Sequence, residues 1–130
     1  MIYYKMTNRF CEYDYSNFPM VHVSFHGSIK NEDDFNLFTS QWLQLYEDQN
    51  YFSFIFDMED MGLVNPYWSY KMASFITELK KQPIQYLQNS RIINVNKFTK
   101  YLLKIIFSVQ SPVAPVLIVN KDGSQNLITP

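Results

Sequence analysis

The chain has 130 residues and a formal net charge of −1; 47% of its residues are apolar, 18% are aromatic, and three are glycine. That length fits a single domain over residues 1–130, because two halves would each be too small to bury a sound core. The small net charge supplies no global field for nucleic acid, so no nucleic-acid partner is expected. So few glycines leave little room for phosphate-cradling loops. Cys11 stands alone, which excludes an internal disulfide and a cysteine-based zinc site and points to a reducing, cytoplasmic setting. The first nine residues lack the apolar core of a signal peptide. The longest apolar run, 101–109, is interrupted by Lys104 and falls far short of the ~20 residues that span a bilayer.

Residues 1–17 alternate weakly, Phe10, Glu12 and Asp14 against Cys11, Tyr13 and Tyr15, which predicts an edge strand; 16–19 reads as a turn. Met20–Phe25 alternates cleanly, with Val21, Val23 and Phe25 on one face and His22, Ser24 and His26 on the other, as in a strand with one buried face. These first two strands are expected to pair antiparallel. Asn31 followed by Glu32, Asp33 and Asp34 is a helix start: a capping side chain, then acids at the positive end of the dipole. Phe35, Phe38, Trp42 and Leu45 form its apolar stripe, and the helix is expected to run to about Gln49.

Tyr51–Asp57 is a dense apolar strand ending in the acidic loop Met58–Gly62. Asn65-Pro66 announces a second helix, a cap and then a proline whose missing N–H costs nothing there. Its stripe is Trp68, Met72, Phe75, Ile76 and Leu79, and Pro83 marks its end or a kink. Arg91–Val95 is a short strand. Asn96 caps a third helix lined by Phe98, Tyr101, Leu102, Ile105 and Ile106, and Ser111-Pro112 stops it. Ala114–Val119 is a further strand, followed by a turn at 121–123 and a short tail. The order β-β-α-β-α-β-α-β predicts an α/β domain with a single mixed sheet of four to six strands and about three crossover helices packed mainly on one face.

The residues name no catalytic chemistry. His22 and His26 lie ~13 Å apart along a strand, too far to share a metal ion. Asp57, Glu59 and Asp60 form the densest carboxylate group. No phosphate loop, arginine pair or catalytic histidine accompanies them, and they read as an acidic loop at a strand end. There is no nucleophile elbow. The reading is of a protein that is not an enzyme, with no metal and no cofactor. Lys97, Lys100 and Lys104 share a face of the third helix beside its apolar stripe, the pattern of a helix that packs on a core and can also rest on an anionic membrane or an acidic partner.

Residues 18 to 120 resemble the STAS, or SpoIIAA-like, anti-sigma-factor-antagonist group. The resemblance rests on Val21-His-Val-Ser-Phe-His-Gly-Ser-Ile29 before an acidic helix start, on Phe54-Ile-Phe-Asp57, on the loop into Asn65-Pro-Tyr-Trp68, and on Ile92-Ile-Asn-Val95. It implies a four- or five-stranded sheet with helices mainly on one face and a non-enzymatic role in protein association, or in some branches binding of a nucleotide or hydrophobic ligand. The phospho-regulated branch carries Asp-Ser-Ser/Thr-Gly at the start of the second helix. Here Asn65-Pro66-Tyr67-Trp68 occupies that place, with Ser69 slightly late, so the usual phospho-acceptor serine is lacking. Tyr86-Leu-Gln-Asn-Ser-Arg-Ile-Ile-Asn-Val-Asn-Lys-Phe98 and the apolar helix after it also resemble the lipid-binding CRAL-TRIO domains, though the chain is shorter and lacks their N-terminal helical region.

Two functional expectations follow. The first is a non-catalytic interaction module of the STAS-like class whose binding surface is built from Asp57, Glu59, Asp60, Asn65, Tyr67, Trp68 and Tyr70, with the aromatics as anchors. Its protein partner is unidentified; a homodimer through a Tyr- and Phe-rich edge strand is one form it could take. The second is a lipid, hydrophobic-ligand or membrane-surface binder, peripheral at the membrane through Lys97, Lys100 and Lys104, with a pocket beneath the third helix.

Overall fold

The computed structural model describes residues 5–7 and 9–130. The elements in chain order are β1 (Lys5–Thr7), β2 (Cys11–Asp14), β3 (Met20–Phe25), α1 (Glu32–Glu47), β4 (Phe52–Asp57), α2 (Tyr67–Leu79), β5 (Leu87–Val95), α3 (Lys97–Val109), β6 (Val116–Asn120) and β7 (Gln125–Ile128). The expected α/β class with one mixed sheet is what forms: six strands from Cys11 onward, joined at the edge by the three-residue β1. The spatial order of the strands is their order along the chain. Strands β3, β4, β5 and β6 run parallel, and antiparallel hairpin partners flank them on both sides.

Each parallel crossover carries one helix. Right-handed crossovers that all advance in the same direction deliver their helices to the same face. Side-chain burial records that arrangement. Val21, Val23 and Phe25 of β3 and Phe52, Phe54 and Phe56 of β4 are buried beneath the helices, whereas His22 and Ser24 are exposed on the far side. That far face also presents Arg91, with Ile55 and Leu117 half-exposed beside it in one cross-strand row.

The helices begin where the sequence supplies caps. Asn31 accepts the Asp34 N–H at 3.1 Å, and three acids occupy the first turn of α1. Asn96 and Thr99 satisfy each other's backbone N–H groups, both at 2.9 Å, in a capping box at the head of α3. At α2 the Asn65 side chain accepts the Tyr67 N–H at 2.9 Å, and the helix takes shape just after Pro66. The expected stripe of α1 is buried in full: Phe35, Phe38, Trp42 and Leu45.

Several expectations are corrected. Helix α1 stops at Glu47, and Gln49 sits at φ +55°, outside the helix. Helix α2 ends at Leu79, and the turn after it leads into Pro83, which was expected to mark the end. Strand β5 starts at Leu87, four residues before the expected Arg91. The tail forms a strand of its own, β7, pairing Leu127 with Leu117 and Gln125 with Val119. In α3 the fully buried positions are Thr99, Leu102 and Leu103, while Tyr101, expected on the packed side, is 53% exposed. The stripe is thus centred on Leu102 and Leu103, and Tyr101 lies at its outer edge.

Candidate functional site

The three helices stand over the sheet without filling the space beneath them. A cavity of about 140 Å³ lies there, bounded below by Phe56 and Ile92 and above by residues of all three helices, among them Trp42, Met72 and Leu103. Among the described residues no charged side chain lines it, and the hydroxyls that do are those of Ser69, Ser90 and Thr99. Thr99 commits its hydroxyl to the Asn96 cap. Close-packed cores leave few voids this large. For scale, a cavity of ~150 Å³ with an apolar lining stays dry and admits benzene, whereas pockets for drug-sized molecules run to roughly 300–1,000 Å³. The space therefore suits a benzene-sized ring or a short stretch of hydrocarbon.

The aromatic residues that the sequence spends so freely build its walls. Trp42 meets Phe54 edge-on at 4.8 Å and Phe75 at 5.4 Å between ring centres, and Phe38 stands against Trp42 at 6.0 Å. Edge-to-face contact is a favoured arrangement of aromatic rings and fixes Phe38 and Trp42 in place along the wall, with Phe54 and Phe75 behind Trp42. Half-exposed lining residues occur at both ends: Ile29, Met61 and Trp68 near the carboxyl ends of the strands, and Ile106, Phe107 and Val113 near their amino ends. The lining also includes Met58, Met61 and Met72, flexible side chains able to adjust to an occupant. Trp42 Nε1 is buried and makes no hydrogen bond of good geometry. Burial pushes the neighbouring Tyr46 phenol up to about 12, while its polar neighbours Trp42 and Gln85 draw it back down.

The residues expected to form a binding surface at 57–70 divide into two groups. Tyr67 and Tyr70 are exposed, at 51% and 55%, and Leu63 beside them is exposed at 79%. Trp68 turns inward, stacks on Phe35 at 5.7 Å and contributes to the cavity wall. Asn65 is used by the helix start. Asp57 accepts from Asn94 Nδ2 and from the Glu59 N–H, both at 2.9 Å. Glu59 reaches Lys121 at 3.1 Å, and the Asp60 carbonyl accepts the Gly27 N–H at 3.0 Å. The acidic loop is thereby tied to Asn94, Lys121 and Gly27 as well as to its own backbone. Gly62 explains the close approach of this loop to Gly27: a Cβ there would lie 3.2 Å from the Gly27 carbonyl carbon. Among the described residues no three His, Cys, Asp or Glu side chains are grouped so as to hold a metal ion.

Ser69, the hydroxyl closest to the position of a family phospho-acceptor, is 3% exposed and faces the cavity. Lys97 and Lys104 are exposed on α3 and Lys100 is half-exposed. The ligand-carrier expectation put a pocket beneath the third helix, and α3 lines this cavity through Leu102, Leu103, Ile106 and Phe107. The share of α1, α2 and the sheet in its walls was not readable, and its only signals were the density of aromatic residues and the methionines that recur at loop and helix positions facing the core.

Comparison of the chain with protein-family models, with curated proteins and with solved structures finds no match. No helix among the described residues is long and apolar enough to cross a membrane.

Proposed function

We propose that this chain is a non-catalytic binding domain of STAS-like build that accommodates an apolar group, a small ring or a short hydrocarbon segment, in the cavity between its sheet and its helices. The observation that carries this reading is the cavity of about 140 Å³ with no charged residue in its lining among the described residues. Binding there draws on the transfer of apolar surface out of water, at about 25 cal/mol per Å², and needs no catalytic group. The STAS resemblance supports the same reading through the single helical layer it implies, and hydrophobic-ligand binding is among the roles it carries. The lack of an accessible serine at the head of α2 fits a domain that works by occupancy, without a phosphate switch.

The experiment is methyl NMR on the purified chain with benzene as the probe. Resonances of Met58, Met61 and Met72, which line the cavity, should shift, while Met20 on β3 should stay in place. Saturation at ten times the dissociation constant should also raise stability by about 1.4 kcal/mol. Unmoved lining methyls would refute the reading. Native mass spectrometry of the chain as purified would then identify any apolar molecule that it carries.

A second reading rests on the exposed cluster Leu63, Tyr67 and Tyr70, which are 79%, 51% and 55% exposed. Three large apolar side chains held in water at the start of one helix suit a protein partner, with tyrosines as anchors. Its test is a pull-down in which Tyr67→Ala with Tyr70→Ala removes a partner that the unaltered chain retains.

A further inference from the structure

Helix α3 has more apolar surface than its packing uses. Of its thirteen residues, Thr99, Leu102 and Leu103 are buried. Tyr101 and Val109 remain 53% and 57% exposed, and Phe98 and Ile105 are half-exposed. Positions 98, 101, 105 and 109 follow one another at three- and four-residue steps and make a strip along the outer flank of the helix. Beside that strip, at the same steps, run Lys97, Lys100 and Lys104. Among the described residues none of the three enters an ion pair, and α3 contains no acidic residue. Asp122 stands close enough to this row to feel Lys100: its pKa is lowered chiefly by Ser124 and secondarily by Lys100.

We propose that the outer face of α3 docks on an anionic lipid bilayer, with Tyr101, Ile105 and Val109 entering the interfacial region and Lys97, Lys100 and Lys104 meeting acidic headgroups. The occupant is selected by chemistry. The chain as a whole carries −1, so a distant anionic surface exerts no net pull, and the attraction comes from this local row of cations beside exposed apolar side chains. Lysine stems are long enough to lie along the apolar strip while their ammonium groups stay in water among headgroups. The opposite face of the same helix lines the cavity through Leu103, Ile106 and Phe107. A docked chain would therefore hold one wall of its cavity against the membrane. The docking rests on the outer face of α3 and stands whether or not the cavity takes a ligand.

The test is co-sedimentation of the full chain with two kinds of vesicle, phosphatidylcholine alone and phosphatidylcholine containing phosphatidylserine. The expected result is binding to the second kind only, released by raising salt. Each lysine neutralised to Gln should weaken it about fivefold, the factor that a surface attraction of about 1 kcal/mol per lysine gives. Tyr101→Ser should weaken it as well. These positions are exposed or half-exposed, so the variants should retain the fold, which the methionine methyl spectrum verifies. Absent binding, or binding equal on both vesicles and indifferent to Lys97→Gln and Lys104→Gln, would overturn the proposal. So would a finding that Tyr101→Ser dissolves a self-associated form while leaving vesicle binding untouched, which would assign the strip to a second copy. The benzene response of Met58, Met61 and Met72 should survive the lysine variants, so failure of docking and failure of the cavity reading are separable.

Discussion

The side-chain amide of Asn94 donates to Asp57 Oδ1 at 2.9 Å, joining the carboxyl ends of β5 and β4. Asn94 does this from φ +58°, at the point where the pairing of β5 with β6 slips between Ile92 and Val95. A left-handed backbone costs most residues roughly 1–2 kcal/mol, and Asn tolerates it through local hydrogen bonding. The kink and the contact sustain each other, and Asp57 holds the start of the acidic loop through the Glu59 N–H.

Asn94→Ala should therefore lose both the hydrogen bond and the tolerated backbone, about 2 kcal/mol together. Asn94→Gly keeps the backbone freedom, so its cost is expected to be about half as large. Urea titration of both variants measures the difference. Equal losses would mean that the contact alone matters.

Acid should weaken the fold through Asp34. The Arg9 hydrogen bond at 2.6 Å is the main influence lowering this carboxyl, helped by the Lys30 N–H and opposed by burial. Its folded pKa is thus below its unfolded one, near ~4. The stabilisation is complete above the unfolded value and is lost as pH falls through the lowered folded value. Asp34→Asn should flatten stability against pH below about 4 and cost about 2 kcal/mol at neutral pH, the usual range for a hydrogen bond to a charged group. Arg9→Ala should remove the largest influence that lowers the Asp34 carboxyl, so the loss of stability in acid should come at higher pH than in the unaltered chain. Thermal unfolding across pH 2–7 on the three proteins checks the sign.

Filling the cavity separates stability from binding. Ala114 lines the space and is 6% exposed. Ala114→Leu should retain stability or raise it by about 1 kcal/mol, and should abolish the benzene-induced shifts of Met58, Met61 and Met72. A persistent response would locate the probe elsewhere.

Removal of the α3 cap gives a simpler expectation. Asn96→Ala should lower stability by about 1 kcal/mol, read from the denaturation midpoint. Asn96→Ser should recover most of it.

The main elements were legible because their signals are local. The alternation of Val21, Val23 and Phe25 and the stripe of Phe35, Phe38 and Trp42 each say which way a side chain faces, and the caps at Asn31 and Asn96 say where a helix starts. Strand β7 left no such trace: three of its four residues are exposed, and backbone pairing with β6 defines it. Strand β5 was shortened in the reading because Gln88 and Asn89 are polar and exposed. The candidate site was harder still. Periodicity tells that Trp42, Met72 and Leu102 point at the core, and it passed over Leu103, which is buried as well. Whether three surfaces meeting from different helices close on one another depends on ring shapes and helix spacing, which no single stretch encodes. Trp68 shows the same limit, since the sequence offered it both as part of the apolar stripe of the second helix and as a surface anchor, and the Phe35 stack decides for the inward position.

The identity of strand order and chain order bears on how the molecule is made. No strand has to be threaded between two neighbours already paired; each unit can be laid on the growing margin as soon as it leaves the ribosome. Every closure spans one crossover or one hairpin, so its entropic cost stays small, and a mixed sheet with a parallel centre assembles through short-range steps where other strand orders would require distant ones. Until the next unit arrives, each newest strand is a temporary margin with an apolar face and unpaired amides. Nascent chains halted after β4 or β5 are therefore the species most exposed to aggregation during synthesis.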